Sequence, residues 1–187
     1  MDKTILKEKA SIPLTNTDLE VYLGKDVQNH IVKYSDLANY NSIEDLLPTD
    51  KSYKIILIET KLNSGHWVCI CRYNNIIEVF NSYGCKPSVN DFCHVKKLTN
   101  FLLQQIEPYL NNLLNKAIKQ FKVIYNKFKF QKVSNYINTC GRWCVLRLLM
   151  MLEHNMDLEH FIDFIKLSAK EKQLTRKMSY IIVGIYG

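Results

Sequence analysis

The sequence predicts an α+β domain in which a central, mostly antiparallel sheet is flanked by helices, one of them buried. Three observations favour this class. A β-branched run at 53–59 precedes two more strand-like segments that are separated by turn residues. Apolar residues recur at three- and four-residue spacing between 92 and 120, which is typical of an amphipathic helix. The segment 140–154 is apolar on nearly every face and therefore predicts a buried helix.

The strand-like segments predict an antiparallel meander. Turn residues separate them, and the two-residue pair Asn74-Asn75 favours a tight hairpin. A further strand-like segment follows the amphipathic helix. The predicted strands are Tyr53–Glu59, Trp67–Tyr73, Ile76–Phe80 and Phe121–Tyr125.

Helices are expected on both sides of the meander. Residues 1–50 contain short helices and loops, with helix-start signals at Thr17, Ser35 and Ser42. Pro108 should kink or divide the helix predicted between Phe92 and Gln120, because proline removes a backbone donor. The remaining predictions are two short helices over 157–177 and a closing strand over 178–186.

Composition restricts the environment of the protein. The chain has 187 residues, which suits one domain. No secretory signal core follows Met1, and no apolar run is long enough to span a membrane. The protein is therefore expected to be neither secreted nor membrane-bound. Its six cysteines are then expected to be reduced, and Cys69 and Cys71 to lie buried on one face of a strand.

The chain is basic, with a formal net charge of +7. Two interpretations remain open: solvated faces that carry charge for solubility, or a surface for a polyanion such as nucleic acid or an acidic peptide. The basic residues form three groups, which are Lys96-Lys97; Lys116, Lys119, Lys122, Lys127, Lys129 and Lys132; and Lys170, Lys172, Arg176 and Lys177.

Cys140 is the candidate nucleophile because it opens the predicted buried helix. The partial positive charge of a helix N-terminus is expected to lower its pKa and favour the thiolate. The Cys140 N–H lacks a helical partner and could bind an oxyanion, while Gly141 would let the backbone approach a substrate carbonyl. The alternative is a buried structural cysteine. Cys144, one turn further on, is expected to belong to the core.

His66 is the candidate base, since it follows Gly65 and opens a predicted strand. Asn81 ends the strand that pairs back beside it, and its side-chain oxygen could accept a hydrogen bond from Nδ1–H of the imidazole. Gln131, nine residues before Cys140, could direct its amide at an oxyanion. The alternatives are a structural histidine, a turn-forming asparagine and an exposed loop glutamine.

The order His66, Asn81, Gln131, Cys140 resembles that of the adenain-like cysteine proteases. This superfamily includes the adenovirus maturation protease, the SUMO-specific proteases, and capsid or polyprotein proteases of large DNA viruses and virophages. The matching segments lie between Ile55 and Leu152, about half of the chain. They are Gly65-His66-Trp67, Val79-Phe80-Asn81-Ser82-Tyr83-Gly84, Gln131, and Thr139-Cys140-Gly141-Arg142-Trp143-Cys144.

The chain departs from the superfamily pattern in two places. Many members carry Asp or Glu where this chain has Asn81, although some viral members resemble it in using Asn. The spacing from Gln131 to Cys140 is longer than usual. Either the loop bulges, or the nearer amides Asn135 or Asn138 take the oxyanion role.

The resemblance implies a papain-like core in permuted order and a thiol endopeptidase that needs no cofactor or metal. Its substrate would be a viral capsid or precursor protein cleaved during virion maturation, with Trp67 walling the site. A monomer is expected, acting in the host cytoplasm or viral factory and inside the virion. Residues 1–52 would form a substrate-side segment, 53–155 the catalytic core and 156–187 the C-terminal helices and strand. By analogy with the adenovirus enzyme, DNA or a peptide could activate it through the basic surface.

Two other functions remain open. The same fold could serve an isopeptidase for ubiquitin-like modifiers. A non-enzymatic alternative is a basic nucleic-acid-binding module that holds zinc. Its candidate ligands are Cys69, Cys71, Cys85, Cys93 and His94, although their spacing lacks the paired Cys-x₂₋₄-Cys pattern of such sites.

Overall fold

A computed structural model describes residues 3–87, 97–132, 134 and 136–171, which are organised around one five-stranded mixed sheet in the order β1-β2-β3-β4-β5. The predicted meander is its centre, because β2–β3 and β3–β4 pair antiparallel. Each edge strand instead pairs parallel, β1 with β2 and β5 with β4, which makes the sheet mixed. The strands are β1 Ile31–Lys33, β2 Tyr53–Lys61, β3 Ser64–Tyr73, β4 Ile76–Phe80 and β5 Lys122–Tyr125.

Helices flank this sheet, so the predicted α+β class is confirmed, and Cys140 is the first residue of the buried helix α6. Two 3₁₀ helices, Lys25–His30 and Tyr34–Asn39, lie on either side of β1. The α-helices are α1 Lys3–Ser11, α2 Asn16–Leu23, α3 Ile43–Leu46, α4 Lys97–Leu102, α5 Tyr109–Ala117, α6 Cys140–His154 and α7 Leu158–Glu171.

The local signals in the sequence placed several element boundaries. Asn74 and Asn75 both have positive φ, 47° and 61°, as a two-residue hairpin turn requires. Pro108 ends the α4–α5 connection and caps α5, so the long amphipathic pattern is two helices. Ser42 caps α3 as predicted, whereas the cap of α2 is Thr15 rather than Thr17.

Where the structure describes the region of the two short helices predicted, it has a single helix. This helix, α7, is continuous to Glu171 because Phe161, Ile165 and Ala169 form one buried stripe at four-residue spacing, and residues 172–177 lie outside the described residues. The start predicted for the earlier helix at Phe92 and the strand predicted at 178–186 lie outside the described residues. Among the described residues, no helix combines the length and apolar character that crossing a membrane requires.

Both faces of the sheet are covered. One face packs against α6 and α7 through a cluster that includes Cys69, Phe80 and Trp143. The opposite face packs against the Tyr34–Asn39 helix and α5 through a second cluster that includes Ile56. The side of α6 that meets β3 is therefore enclosed, and Cys140 lies at the first residue of this buried helix.

A buried ion pair joins α6 to β4. Arg147 donates from Nε and Nη2 to the two carboxylate oxygens of Glu78, each at 2.7 Å, and both side chains have no solvent exposure. Its Nη1 also donates to the carbonyl oxygen of Met156 at 2.9 Å, and Tyr73 donates to Glu78. Burial alone would lower the pKa of Arg147, but the hydrogen bonds and charge of Glu78 outweigh it and raise that pKa.

Replacing Arg147 with Met should reduce the free energy of unfolding by about 3–5 kcal/mol, because the Glu78 charge is left buried without its partner. Urea unfolding measures the loss. The control is Lys166→Met, which breaks the exposed pair with Asp163 at 3.0 Å and should cost less than about 1 kcal/mol. Equal losses in the two variants would show that the buried pair does not hold α6 in place.

Candidate active site

Cys140 lies at the N-terminus of α6 and is only 5% exposed. The helix begins after Thr139, whose hydroxyl does not cap the helix but donates to Gln131 Oε1 at 2.7 Å. Backbone N–H groups surround the thiol: those of Trp67, Gly141 and Cys140 itself all favour the thiolate. Because Trp67 directly follows His66, the proximity of its N–H to Cys140 places the thiol beside the segment of β3 that carries the imidazole.

The pKa of Cys140 differs from the expectation. Burial raises it, and this effect outweighs the backbone N–H groups of Trp67, Gly141 and Cys140 and the positive charge of Arg142, all of which lower it. The expectation that the helix N-terminus would lower the pKa of Cys140 was therefore wrong. The backbone N–H groups act in the expected direction, but the depth at which the thiol is buried could not be read from the sequence.

His66 and Asn81 are joined by a hydrogen bond of 2.9 Å between His66 Nε2 and Asn81 Oδ1. The same Oδ1 accepts the backbone N–H of Tyr83 at 3.0 Å. Since that N–H can only donate, the Asn81 atom must be the amide oxygen, and Nε2 must carry the ring proton. The predicted bond to Nδ1–H was wrong, because the ring presents its other nitrogen to Asn81. In the neutral ring, Nδ1 then carries the lone pair.

Tyr83 is a site residue that the sequence reasoning missed. Its ring stacks on the His66 imidazole with centroids 4.0 Å apart and an interplanar angle of 10°. Burial and the nearby Cys140 raise the pKa of Tyr83 to about 12, and Gln131 acts in the opposite direction. Tyr83 is therefore close to the candidate base, nucleophile and oxyanion amide. The sequence signal that could have identified Tyr83 is its position two residues after Asn81, in the turn that ends β4.

Gln131 is buried, at 4% exposure, despite its distance from Cys140 in sequence. Its Oε1 accepts a hydrogen bond from Thr139, so its Nε2 points away from that bond and towards Tyr83. There Gln131 opposes the rise in the pKa of Tyr83 that burial causes. Nε2 makes no hydrogen bond of ordinary geometry to any described residue. The alternative amide Asn138 instead donates to the carbonyl oxygen of Ser11 at 2.7 Å, and Asn135 lies outside the described residues.

Two glycines allow the backbone to approach closely here. A Cβ on Gly65 would lie 1.9 Å from the carbonyl oxygen of Ile58, so only glycine fits beside β2 at this point. A Cβ on Gly141 would lie 3.0 Å from Leu14 and 3.1 Å from Trp67. These two side chains fill the space beside Gly141. Close packing is therefore a reason for glycine at this position, separate from the predicted role in substrate approach.

The N-terminal segment forms part of the candidate site. Trp67 donates from its indole to the carbonyl oxygen of Leu14 at 3.1 Å, and Arg142 donates to that of Ile12 at 2.7 Å. A groove of about 590 Å³ runs between residues 13–17 and Gly65. A larger cleft, about 840 Å³, lies between β5 and α7 and contains none of the predicted site residues.

Metal ligation has no support in the described part of the chain. No group of three or more His, Cys, Asp or Glu side chains there could hold an ion. Cys69 and Cys71 are buried and form no disulfide, and Cys85 is exposed. Cys93 and His94 lie outside the described residues.

Comparison with known proteins gives one close relative. The chain is 41% identical over 159 residues to the uncharacterized protein V9 of Sputnik virophage, a match that covers 84% of this chain and 87% of V9. No protein-family model matches the sequence.

Solved structures give more distant similarities. One is the SUMO protease Ulp1 with its catalytic cysteine oxidized to a sulfenic acid, with a TM-score of 0.42, 16% identity and coverage of 97% of this chain and 82% of that chain. Another is the C-terminal Ulp1 protease domain in complex with Smt3, the yeast ortholog of SUMO, with a TM-score of 0.39, 16% identity and coverage of 96% and 80%.

Alkylation should report the raised pKa of Cys140. The rate of reaction with iodoacetamide follows the thiolate fraction, so its midpoint for Cys140 should lie above the pH of about 8.5 that is typical of an unperturbed cysteine thiol. Mass spectrometry of the Cys140 peptide across a pH series measures this midpoint. A lower midpoint for Cys140 would instead indicate a resting thiolate–imidazolium pair.

Proposed function

The chain belongs to the family of the Sputnik virophage protein V9, and we propose that it is a cysteine protease with Cys140 as nucleophile and His66 as base. One observation carries the proposal. Asn81 Oδ1 lies between the Tyr83 N–H and His66 Nε2, which fixes the tautomer with a basic Nδ1. An imidazole oriented in this way beside a thiol at a helix N-terminus has the parts of nucleophilic catalysis.

Catalysis would begin from the protonated thiol. As Sγ attacks the substrate carbonyl carbon, its proton passes to His66 Nδ1. The tetrahedral oxyanion accepts hydrogen bonds from the Cys140 N–H and Gln131 Nε2. The imidazolium then protonates the leaving amine, the C–N bond breaks, and a thioester remains on Cys140.

Water completes the cycle. His66 takes a proton from the water as the water oxygen attacks the thioester carbon. The C–S bond then breaks, the imidazolium returns this proton to Sγ, and the carboxylic acid product leaves. Asn81 holds the imidazole in place in both half-reactions. Trp67 walls the site and restricts water around Cys140.

The substrate we propose is a viral capsid or precursor protein that is cleaved during virion maturation. The virophage relative supports a viral setting, and the groove of about 590 Å³ beside Gly65 offers room for an extended peptide. The enzyme would act as one domain, with residues 1–52 on the substrate side, 53–155 as catalytic core and 156–187 as the C-terminal part. It would work as a monomer in the viral factory or host cytoplasm and in the virion.

Replacing Cys140 with Ala should abolish proteolysis and leave the fold intact. The matched control is Cys144→Ala, one turn further along α6 and fully buried, which should retain cleavage. Gel electrophoresis of Sputnik virophage capsid proteins incubated with each variant measures cleavage. Undiminished cleavage by Cys140→Ala would exclude the proposed nucleophile.

The same preparation distinguishes the isopeptidase alternative. Ubiquitin and SUMO carrying a fluorogenic C-terminal amide are presented to the unaltered protein. Release of the fluorophore together with intact capsid proteins would favour the isopeptidase over the maturation protease.

DNA should stimulate the enzyme if the basic surface binds packaged nucleic acid. Six lysines between 116 and 132 are exposed, and phosphate contacts weaken steeply as salt rises. Short duplex DNA should therefore raise the rate of cleavage in dilute salt, and about 0.5 M NaCl should remove the increase. A cleavage rate that DNA does not change in dilute salt would contradict this prediction and would indicate that these lysines contribute to solubility rather than to DNA binding.

A further inference from the structure

Asn126, directly after β5, makes a close pair of hydrogen bonds with the backbone of Asn81. Its Oδ1 accepts the Asn81 N–H and its Nδ2 donates to the Asn81 carbonyl oxygen, both at 2.7 Å. Nδ2 also donates to the carbonyl oxygen of Phe128 at 3.0 Å, and the residue is 1% exposed. Resting on the proposed function, we propose that Asn126 is a positioning residue that holds the base-orienting and oxyanion arms of the site as one unit.

The first arm runs from Asn126 to the base. The β4–β5 ladder ends at the pair Val79 and Tyr125, so Asn81 lies beyond the strand pairing. The Asn126 side chain supplies the two bonds that the ladder no longer provides. With its N–H and C=O both held, Asn81 keeps its Oδ1 at 2.9 Å from His66 Nε2.

The second arm runs from Asn126 to the oxyanion amide. The chain from Asn126 to Gln131 turns back so that the N–H groups of Phe130 and Gln131 both donate to the carbonyl oxygen of Ser82, at 2.9 and 3.1 Å. The bond from Asn126 to the Phe128 carbonyl fixes the middle of this loop. The base of Gln131 is thereby tied to the residue that follows Asn81.

The contact between the two loops is close. A Cβ on Gly84 would lie 2.8 Å from the carbonyl oxygen of Lys127 and 2.9 Å from that of Phe128. Gly84 also has a φ of +68°, so this turn needs glycine for conformation as well as for space. Displacement of either loop therefore moves the other, and Asn126 lies at their junction.

Gln105 provides a matched control. Its buried amide makes the same pair of bonds to the backbone N–H and carbonyl of Glu59, both at 2.8 Å, and a third to Asn100 at 3.3 Å. It serves β2 rather than the loops of the candidate site. Asn126→Asp and Gln105→Glu each exchange a buried amide for a carboxyl of the same shape, so both lose donors and gain the same charge.

Two readouts separate positioning from stability. The first is the NMR signal of the His66 Nε2 proton, assigned by its absence in His66→Ala, which reports the bond to Asn81 without any substrate. The second is the single-turnover rate at which p-nitrophenyl acetate acylates Cys140, which needs both arms. Gln131→Ala should slow acylation by ~10²-fold and leave the proton signal in place.

Asn126→Asp should lose the His66 signal and slow acylation by ~10²-fold or more, because both arms move. Gln105→Glu should keep the signal and an acylation rate within about twofold of the unaltered protein. If Asn126→Asp does not fold, Asn126→Ser, which leaves space for water to restore the bonds, should weaken the signal and slow acylation less severely.

Retention of the His66 signal and of the acylation rate in a folded Asn126 variant would overturn the inference. So would equal loss of the signal in Gln105→Glu, since the effect would then be general destabilisation. Absence of acylation in the unaltered protein would count against the proposed function alone. Loss of the signal in Asn126→Asp but not in Gln105→Glu would still support positioning in that case.

Discussion

The buried ion pair between Arg147 and Glu78 sets where α6 lies on the sheet, and the geometry of the candidate site follows from it. Arg147 is seven residues after Cys140, so the two lie about 10.5 Å apart along one face of the helix. Glu78 is three residues before Asn81, on the strand that pairs with the His66 strand. One charge pair thus fixes the helix that carries the thiol relative to both strands that carry the base and its partner.

In this arrangement, the burial of Cys140 opposes ionisation of its thiol. Enclosing the start of α6 disfavours the thiolate more than the backbone N–H groups and Arg142 favour it. A protonated thiol is a weak nucleophile towards solvent reagents. Attack then depends on His66 removing the proton as a substrate carbonyl arrives, which makes the orientation of the imidazole the controlling feature of the proposed mechanism.

The sequence predicted those features that depend on neighbouring residues. Asn74-Asn75 specified a hairpin, Pro108 specified a helix boundary, and the apolar run after Cys140 specified a buried helix. Strand β1 was missed because it has only three residues and exists through parallel pairing with β2, which no local pattern encodes. The direction of the pKa shift at Cys140 was wrong for a similar reason, since desolvation depends on what packs around the thiol.

In the candidate site, too, the features set by neighbouring residues could be predicted and those set by tertiary contacts could not. His66 and Asn81 could be linked in advance because a two-residue turn fixes the register between their strands. The roles of Tyr83 and Asn126 could not be predicted from the sequence, since they depend on how the 81–84 turn packs against the 126–131 loop. The loop is bonded back to Ser82 before the chain reaches α6.

An asparagine in the third position raises a problem that a carboxylate does not have. A rotated amide would present its NH₂ to the ring, stabilise the wrong tautomer and leave Nδ1 protonated. The Tyr83 N–H excludes this rotation, because it requires an acceptor at the position that Oδ1 occupies. Asn81 is also neutral, so its burial does not carry the cost of an unpaired charge. Orientation rather than charge is then what the third residue contributes, and the backbone around Asn81 determines whether His66 can act as a base.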